Sequence, residues 1–389
     1  MREAVIVSAV RSAVGKGKKD GALASVHATE VSARVMRAAL EHADVDPATV
    51  DDIFWGCAMP EASQGLNVAR LSSLRAGIPV EVPSATINRF CSSGLQTIAL
   101  AAQQIMTDMA DVVIAGGVEM MSQVPMSGYH TRLSPELTES YIGMGFTAER
   151  VAERWKVTRE DQDRWALASQ QKAVRAWASG QFKDEVVPLP VTATTWQGAV
   201  KQECTSEFAR DELLRPDTTY EGLAKLKPAF KVNGTVTAGN SSPYSDGAAA
   251  LVLMSRERAE SLGAKPLARF VTFATAGVEP DVMGIAPIKA VPKALKRAKM
   301  TMRDIDLIEF NEAFAAQVVA VVRDLEMPED KVNVNGGAIA LGHPLGCSGA
   351  KILTTLIWEL RRRGARFGLA TMCIGVGQGA ATIVENLAA

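Results

Sequence analysis

Two cysteines and one histidine of this sequence lie in glycine-rich segments, and their side chains suit nucleophilic catalysis. Cys91 stands in Asn-Arg-Phe-Cys-Ser-Ser-Gly, His343 in Gly-His-Pro-Leu-Gly-Cys-Ser-Gly, and Cys373 before Ile-Gly-Val-Gly-Gln-Gly. A thiolate is a strong nucleophile, and a neutral imidazole beside a thiol can take its proton. A free cysteine can also be a small buried hydrophobe. The presence of all three in glycine-punctuated turns favours the catalytic interpretation.

Cys91 is the expected nucleophile. It follows a short apolar run and precedes a helical pattern with Leu95, Ile98 and Ala102 on one face. The positive end of a helix stabilises a thiolate, so this position predicts a lowered pKa. Gly94 would let a ligand or a second stretch of backbone approach closely. The alternative is a buried structural cysteine at the start of a helix.

Cys373 is the expected second acid/base. Tight glycine turns can direct backbone amides to one point, so the N–H groups of Cys91 and Gly375 are expected oxyanion donors. Asn311 follows a short strand pattern and could hold a water molecule or an imidazole. Asn311 could equally cap a helix over 312–322, since asparagine favours helix N-caps.

The composition is that of an ordinary globular protein and argues against several classes of function. The 389 residues are too many for one compact core, so two or more domains are expected. A net charge of -1 without long basic blocks argues against binding to nucleic acid. No apolar run is long enough for a membrane span, and a strand pattern from Ala4 leaves no room for a signal peptide.

The five cysteines form no Cys-x-x-Cys pair. Such a set suits neither a disulfide framework nor a zinc site, so a reduced, cytoplasmic location without a metal is expected. Cys57, Cys204 and Cys347 lack the surroundings of the other two and are expected to be structural.

Short β-branched runs alternate with longer alanine-rich helical patterns, which is typical of an α/β protein with a buried sheet. The plan occurs twice, so we expect an N-terminal half over 1–120 plus 245–266 and a C-terminal half over 267–389. Each half has a reactive residue where a strand leads into a helix. A helix of the second half is expected over 291–298, with Pro292 in its first turn.

Residues 121–244 differ from both halves and hold most of the tryptophans and a charged helix. Thr158 and Asp161 are placed as a capping box for that helix, and Gly180 follows its end. Long insertions are commonly lids or binding loops, so this region is expected to cover the active site.

Five segments, in this order along the chain, resemble the thiolase family. They are 88–94, 235–250, 311–314, 335–349 and 373–379. The resemblance runs from Val5 to Glu385. It implies a duplicated βαβαβ fold in five αβαβα layers, with an inserted loop domain.

The resemblance also implies Claisen-type carbon–carbon cleavage or condensation on coenzyme A thioesters, through an acyl-cysteine. Cys91 would then be the nucleophile, His343 its base, and Cys373 the residue that exchanges a proton with the α-carbon of acetyl-CoA. Asn311 would hold an ordered water in one oxyanion hole beside His343, and the amides of Cys91 and Gly375 would form the other. Coenzyme A is expected as a substrate, with no permanently bound cofactor.

By the same resemblance, the inserted region is expected to bind coenzyme A. The expected contacts are Arg215 against the adenine, Leu226 and Phe230 along the nucleotide and pantetheine channel, and Ser242 at the pantetheine. The expected walls of the acyl pocket are Met144, Met283 and Phe314. Flexible methionines suit a pocket for varied acyl chains, although Met144 and Met283 could also simply fill the core.

One departure from the family pattern concerns the substrate. Biosynthetic members commonly carry a histidine where this chain has Gly143, so the resemblance favours a degradative 3-ketoacyl-CoA thiolase of fatty-acid β-oxidation. The alternatives are an acetyl-CoA C-acetyltransferase and, from another class, a scaffold that binds acyl-CoA without turnover. Cys373 argues against related decarboxylating enzymes, which pair their cysteine with two histidines or with histidine and asparagine. A homodimer or homotetramer is expected, and a β-oxidation partner enzyme is possible.

Overall fold

The computed structural model describes residues 2–125, 133–197 and 200–387. The strands are β1 Ala4–Ser12, β2 Gly15–Lys16, β3 Asp52–Gly56, β4 Ser84–Ile87, β5 Val112–Met120, β6 Val186–Val187, β7 Leu189–Gln197, β8 Val200–Phe208, β9 Ser245–Ser255, β10 Ala268–Gly277, β11 Leu307–Phe310, β12 Phe367–Ile374 and β13 Gln378–Asn386. The α-helices are α1 Ala28–Ala43, α2 Val68–Arg75, α3 Ser93–Met106, α4 Met144–Arg154, α5 Arg159–Ala178, α6 Tyr220–Ala224, α7 Arg256–Leu262, α8 Pro287–Ala298, α9 Ala315–Asp324, α10 Ala338–Leu341 and α11 Leu345–Arg363.

The central sheet shows the duplicated plan. Its order is β11-β12-β13-β10-β1-β9-β5-β3-β4. In the N-terminal half, β9 runs antiparallel to both of its neighbours, β1 and β5, and β13 does the same between β10 and β12. Val332 bridges Ile308 in β11 and takes the place that β4 has in the first half. The halves join where β1 pairs with β10 through Val5↔Arg269 and Ile6↔Ala268.

Helices cover the sheet in three layers. The outer layers are α1 with α2 on the N-terminal half, and α8 with α9 on the C-terminal half. Between the halves, α3 and α11 pack on each other and on both sets of strands. Fully buried side chains such as Leu95, Ile98 and Leu353 fill this middle layer. Each of them contributes about 1.5–3 kcal/mol of hydrophobic stabilisation.

Glycines allow α3 and α11 to approach each other at backbone distance. A Cβ atom on Gly94 would lie 2.5 Å from the backbone nitrogen of Ala350, and one on Gly349 would meet the backbone nitrogen of Leu95. A Cβ on Gly117 would meet the carbonyl oxygen of Gly346. The predicted close approach at Gly94 is therefore confirmed, and the approaching element is a second backbone. Because the two helices start side by side, the residues that precede them converge.

The predicted ends of α5 are confirmed, whereas the predicted start of α8 is not. Thr158 and Asp161 form the expected capping box of α5, and Gly180 has a φ of 71° just beyond its end. The prediction that Pro292 lies in the first turn of its helix is wrong, because α8 begins at Pro287 and contains Pro292 in its interior. The buried apolar face of α8 outweighs the backbone hydrogen bond that Pro292 cannot make.

A buried ionic cluster ties the segment after β5 to the sheet. Arg11 of β1 is fully buried, and its guanidinium lies 2.6 Å from Glu185 and 2.9 Å from Asp211. Both carboxylates belong to the region between β5 and β9, and β6 pairs in parallel with β1. Loss of one partner would leave an uncompensated buried charge, so this contact holds the region in a defined position.

Within residues 2–125, 133–197 and 200–387, no helix is both long enough and apolar enough to cross a membrane.

Candidate active site

Cys91 lies in the short turn between β4 and α3. Phe90 has a φ of 44°, in the left-handed region that non-glycine residues seldom adopt. The hydroxyl of Ser93 stabilises this turn, since it accepts from the N–H of Arg89 at 2.9 Å and donates to the carbonyl of Phe90 at 2.6 Å. The turn therefore presents the Cys91 side chain, which is partly exposed, at the start of α3.

His343 lies just before α11 and is held on three sides. Its Nδ1 is 2.6 Å from Oγ of Ser348, and its Nε2 is 3.3 Å from Nδ2 of Asn311. Its backbone N–H donates to Oγ of Ser245 at 3.0 Å. The side chain is buried. These contacts fix both the ring plane and the position of the imidazole.

Asn311 does not cap a helix, which removes the alternative interpretation of this residue. α9 begins at Ala315, and Phe314 occupies its N-cap position. The backbone N–H of Asn311 donates to Thr371 at 3.0 Å, which places the residue beside the end of β12. Its side-chain Oδ1 is buried and has no hydrogen-bond partner in the described part of the chain. A buried polar atom of this kind is satisfied when a water molecule or a substrate group binds there.

Cys373 lies near the end of β12, opposite Gly379 of β13. The hairpin turn that follows has two residues in the left-handed region, Val376 at a φ of 62° and Gly377 at 80°. A β-branched residue rarely adopts this conformation, so the turn is locally strained. The backbone N–H of Gly375 is directed at the Cys91 thiol and favours its ionised form. The hairpin and the Cys91 turn thus face each other.

The electrostatics of the site favour uncharged side chains. Burial raises the pKa of Cys91 to about 11, although the amides of Gly375 and of Cys91 itself lower it. Burial, together with the positive charge of Lys351, lowers the pKa of His343 to about 3. Burial and the neighbouring Cys91 raise the pKa of the Cys373 thiol.

The expectation of a lowered pKa for Cys91 is therefore wrong. Burial of the thiol outweighs the start of α3 and the two amides that favour the thiolate. A neutral imidazole remains competent as a base, because its free nitrogen can accept a proton when negative charge develops on a substrate.

The residues expected to wall the acyl pocket meet at Cys373. Met144, Met283 and Phe314 belong to one apolar cluster with Cys373. A Cβ atom on Gly375 would lie 3.5 Å from the sulphur of Met144. The two methionines therefore pack beside the second thiol and are not part of the main core.

Three of the expected coenzyme A contacts lie outward from this cluster. The rings of Phe230 and Phe314 meet edge to face at 6.1 Å. Leu226 and Phe230 keep 39% and 38% of their surface exposed, although both are large apolar residues. The backbone N–H of Ser242 donates to the carbonyl of Ala313 at 3.0 Å.

Arg215 lies apart from these residues along α5. Its backbone N–H donates to the side chain of Gln170 at 3.1 Å. Arg215 lines a groove together with Arg175 and Thr218. The described contacts thus bring Arg215 to α5 and not directly to Leu226 or Phe230.

Three residues that hold the site were not found from the sequence. They are Ser348 and Ser245, which contact His343, and Glu119 of β5. The buried Glu119 carboxylate accepts from the backbone N–H groups of Ala58 at 2.9 Å and Gly346 at 2.8 Å. It therefore joins β5 to the first turn of α11. A lone carboxylate in an otherwise apolar strand was the available signal for Glu119.

The fold is that of a duplicated α/β protein, and the Cys91 turn and the hairpin with Cys373 face each other where its two halves meet. Two family models match the chain, "Thiolase, N-terminal domain" over residues 4–257 and "Thiolase, C-terminal domain" over residues 264–386. The chain belongs to the thiolase family and is an acyltransferase. The predicted family is confirmed.

Individual relatives match over their full lengths. A 3-ketoacyl-CoA thiolase of Bacillus subtilis is 53% identical over 99% of this chain and 100% of its own. One of Salmonella typhimurium is 47% identical over 100% of both. Among solved structures, the Bacillus anthracis acetyl-CoA acetyltransferase has a TM-score of 0.90 at 42% identity and covers 100% of this chain and 99% of its own.

The human mitochondrial 3-ketoacyl-CoA thiolase has a TM-score of 0.89 at 41% identity, over 99% of each chain. These structural likenesses confirm the predicted fold class.

Proposed function

We propose that this enzyme catalyses the coenzyme A-dependent thiolytic cleavage of 3-ketoacyl-CoA in fatty-acid β-oxidation. The products are acetyl-CoA and a shortened acyl-CoA. Two observations carry the proposal: the Cys91 turn faces the β12–β13 hairpin with Cys373, and Asn311, beside the end of β12, contacts the imidazole of His343. The relatives named 3-ketoacyl-CoA thiolase support this substrate class.

In the first half-reaction, Cys91 attacks the 3-keto carbon while Nε2 of His343 takes its proton. The new sulphur–carbon bond forms an oxyanion that the amides of Cys91 and Gly375 stabilise. The bond between the α- and β-carbons then breaks, and its electron pair moves to the α-carbon. Cys373 donates a proton there, which releases acetyl-CoA and leaves an acyl group on Cys91.

In the second half-reaction, coenzyme A removes the acyl group. The Cys373 thiolate takes the proton of the coenzyme A thiol, which attacks the acyl carbon. The sulphur–carbon bond to Cys91 breaks, and His343 returns its proton to the leaving thiolate. In the first half-reaction, Asn311 supports the departing enolate of acetyl-CoA through a water molecule at its unpartnered Oδ1, beside His343. His343 and Cys373 thus return to their initial protonation states.

Residues 121–244 form the coenzyme A-binding domain in this proposal, inserted between an N-terminal half over 1–120 plus 245–266 and a C-terminal half over 267–389. Leu226, Phe230 and Ser242 border the channel that leads to the pocket of Met144, Met283 and Phe314. The exposure of the two apolar side chains beside the pocket supports this path.

Arg215 stacks on the adenine in this arrangement. Arg215→Ala is expected to raise the KM for coenzyme A about tenfold and to leave the alkylation of Cys91 unchanged. Arg210→Ala is a matched control, because Arg210 is an exposed arginine nearby. Equal KM values for the two variants would contradict the assignment.

Mass spectrometry tests the covalent step. Incubation with acetyl-CoA should add one acetyl group to the peptide that contains Cys91, and Cys91→Ala should abolish the addition. Cys204→Ala is the control, because Cys204 is exposed on β8 and has no role in the proposed mechanism. An unmodified wild-type peptide would contradict the mechanism and favour a scaffold that binds acyl-CoA without turnover.

Acetyl-CoA C-acetyltransferase is the second candidate function. The Bacillus anthracis acetyl-CoA acetyltransferase has nearly the same fold, so the scaffold accommodates either use. The thiolysis rates of acetoacetyl-CoA and a long-chain 3-ketoacyl-CoA separate the two. A comparable or higher rate on the long chain supports the degradative function, and a strong preference for acetoacetyl-CoA overturns it.

The proposal includes a homodimer or a homotetramer. The strand β4 stands at one end of the sheet, and exposed apolar side chains lie near it, with Leu66 at 89% and Leu71 at 43% exposure. A second copy that pairs along β4 would cover this edge. Light scattering during size exclusion tests this, and a monomeric mass at micromolar concentration would contradict it.

A cytoplasmic location and a β-oxidation partner enzyme complete the proposal. All five cysteines are free, which suits a reducing compartment. Cell fractionation tests the location, and recovery of the protein outside the cytoplasm would contradict it.

A pull-down with the tagged chain tests the partner, and co-purification with no other β-oxidation enzyme would contradict it.

A further inference from the structure

Ser348 joins the imidazole of His343 to a backbone carbonyl. Its Oγ lies 2.6 Å from Nδ1 of His343 and 2.8 Å from the carbonyl oxygen of Pro344. Ser348 is 1% exposed and belongs to the first turn of α11. The hydroxyl therefore has two buried neighbours and no competition from bulk water.

The carbonyl of Pro344 determines the direction of these hydrogen bonds. A carbonyl oxygen only accepts, so the Ser348 hydroxyl donates its proton to Pro344. Its oxygen is then the acceptor for Nδ1, which must carry the proton of the neutral ring. Nε2 is left with its lone pair, and the side-chain N–H of Asn311 donates to it across 3.3 Å.

The opposite tautomer makes fewer hydrogen bonds. If Ser348 donated to Nδ1, its bond to Pro344 would be lost, and Nε2 would carry the proton. That proton would face the side-chain amide of Asn311, which would have to turn to offer its oxygen. The first arrangement makes three hydrogen bonds where the second makes two, so the contacts select the proton on Nδ1.

We propose that Ser348 is a positioning residue that keeps the proton of His343 on Nδ1, so that Nε2 carries no proton and can exchange the hydrogen bond from Asn311 for the proton of Cys91. This inference rests on the proposed roles of Cys91 and His343. In water the two neutral tautomers of histidine are close in free energy, so in a buried site the hydrogen-bond partners decide between them. Without Ser348, the ring would also populate the form in which Nε2 carries the proton and cannot act as a base.

Nitrogen NMR of the wild-type protein tests the tautomer directly. The chain has only four histidines, and His343→Gln identifies the signals of His343 by their loss. The expected spectrum at neutral pH has a protonated Nδ1 and an unprotonated Nε2. A protonated Nε2 would overturn the inference without any claim about activity.

Alkylation of Cys91 by iodoacetamide tests the consequence. Ser348→Ala should lower the second-order rate constant about tenfold or more at neutral pH, together with kcat, while KM changes little. Ser348→Thr keeps the hydroxyl and should restore most of the rate. Thr354→Val is the control, because Thr354 is another buried hydroxyl of α11 and has no partner in the described structure.

The outcomes separate this inference from the proposed function. A Ser348→Ala variant that is folded and alkylated at the wild-type rate overturns the role of Ser348. If Ser348→Ala and Thr354→Val lose the rate equally, the effect is one of packing and the inference is also overturned. If wild-type Cys91 accepts no acetyl group from acetyl-CoA, the proposed function fails, whereas the NMR result for the tautomer stands alone.

Discussion

Cys91 and His343 are both uncharged at neutral pH, because burial raises the pKa of the thiol to about 11 and lowers that of the imidazole to about 3. The resting pair is thus not a thiolate–imidazolium ion pair. In the proposed mechanism, the negative charge that develops on the bound substrate, stabilised by the amides of Cys91 and Gly375, promotes proton transfer to His343. Cys91 would thus stay mostly protonated until a substrate binds.

We expect no thiolate absorbance from Cys91 below about pH 9. A group with a pKa near 11 is protonated throughout that range, and its ionised fraction rises about tenfold per pH unit. The measurement is the ultraviolet difference between wild type and Cys91→Ala as the pH is raised from 6 to 9.5. A titration centred near pH 6 to 7 would show an ion pair and contradict the prediction.

Asn311→Ala is expected to lower kcat about 100-fold or more, because the variant loses one stabiliser of the enolate. Alkylation of Cys91 should fall much less, since that reaction forms no enolate. The contrast between the two rates is the measurement. An equal loss in both would assign Asn311 to the orientation of His343 alone.

At the scale of single residues, the sequence indicates the candidates for reaction but not the environment of their side chains. Cys91, His343 and Cys373 were recognisable because each stands in a glycine-rich turn. Ser348 and Glu119 were not, since their partners in the site come from folding. The predicted lowering of the Cys91 pKa was wrong for the same reason, because the burial of the thiol depends on contacts that residues 88–94 alone do not reveal.

At the scale of elements, the contact between α3 and α11 positions Cys91 relative to His343, the proposed nucleophile and its proposed base. The helices touch through Gly94 and Gly349, and Gly117 leaves space for the carbonyl of Gly346. Since Cys91 and His343 directly precede these helices, a shift of either helix moves one reactive atom relative to the other. The glycines of the two motifs therefore act by permitting the close helix contact that fixes the relative positions of Cys91 and His343.

Gly94→Ala is expected to destabilise the fold by about 1–3 kcal/mol, because its Cβ would lie 2.5 Å from the nitrogen of Ala350. Acetylation of Cys91 should also slow in the protein that remains folded. Urea unfolding and the acetylation rate are the measurements. Gly277→Ala is the control, since its Cβ would have no neighbour closer than 3.8 Å, and equal stability of the two variants would contradict the prediction.

The sequence predicted most elements from periodicity, but not every boundary. Pro292 marked a helix start by its usual preference, whereas Pro287 holds that position and the apolar face extends the helix through Pro292. Asn311 had two equally good local interpretations. Only the position of α9, which begins at Ala315, decided between them.

At the scale of the whole molecule, the buried His343 links stability to acid. Its folded pKa of about 3 lies below the value of 6.5 for an exposed histidine, so the unfolded chain binds the extra proton between these values. The free energy of unfolding therefore falls as the pH is lowered through this window. The contribution of this group is at most about 1.4 kcal/mol per pH unit.

We expect His343→Gln to remove this contribution. The difference in the free energy of unfolding between wild type and variant should shift in favour of the variant as the pH falls from 6.5 towards 4. Urea denaturation at several pH values measures it. A difference that does not change with pH would show that His343 is protonated in the folded state.

The duplication was visible in the sequence as a repeated strand-and-helix plan, and the structure gives both halves the same strand order. The counterpart of β4 in the second half was not predictable, because it consists of a single bridge between Val332 and Ile308. The pairing of β1 with β10 is likewise a contact between distant residues.

The common strand order has a consequence for how substrate preference can change. β5 and β9 in the first half correspond to β12 and β13 in the second, yet residues 121–244 connect the first pair and only Gly375 to Gly377 connect the second. The corresponding connection is thus long in the N-terminal half and very short in the C-terminal half. If residues 121–244 bind the substrate as proposed, remodelling of this long connection would alter which acyl chain is accepted, while the short connection from Gly375 to Gly377 would leave Cys373 in place.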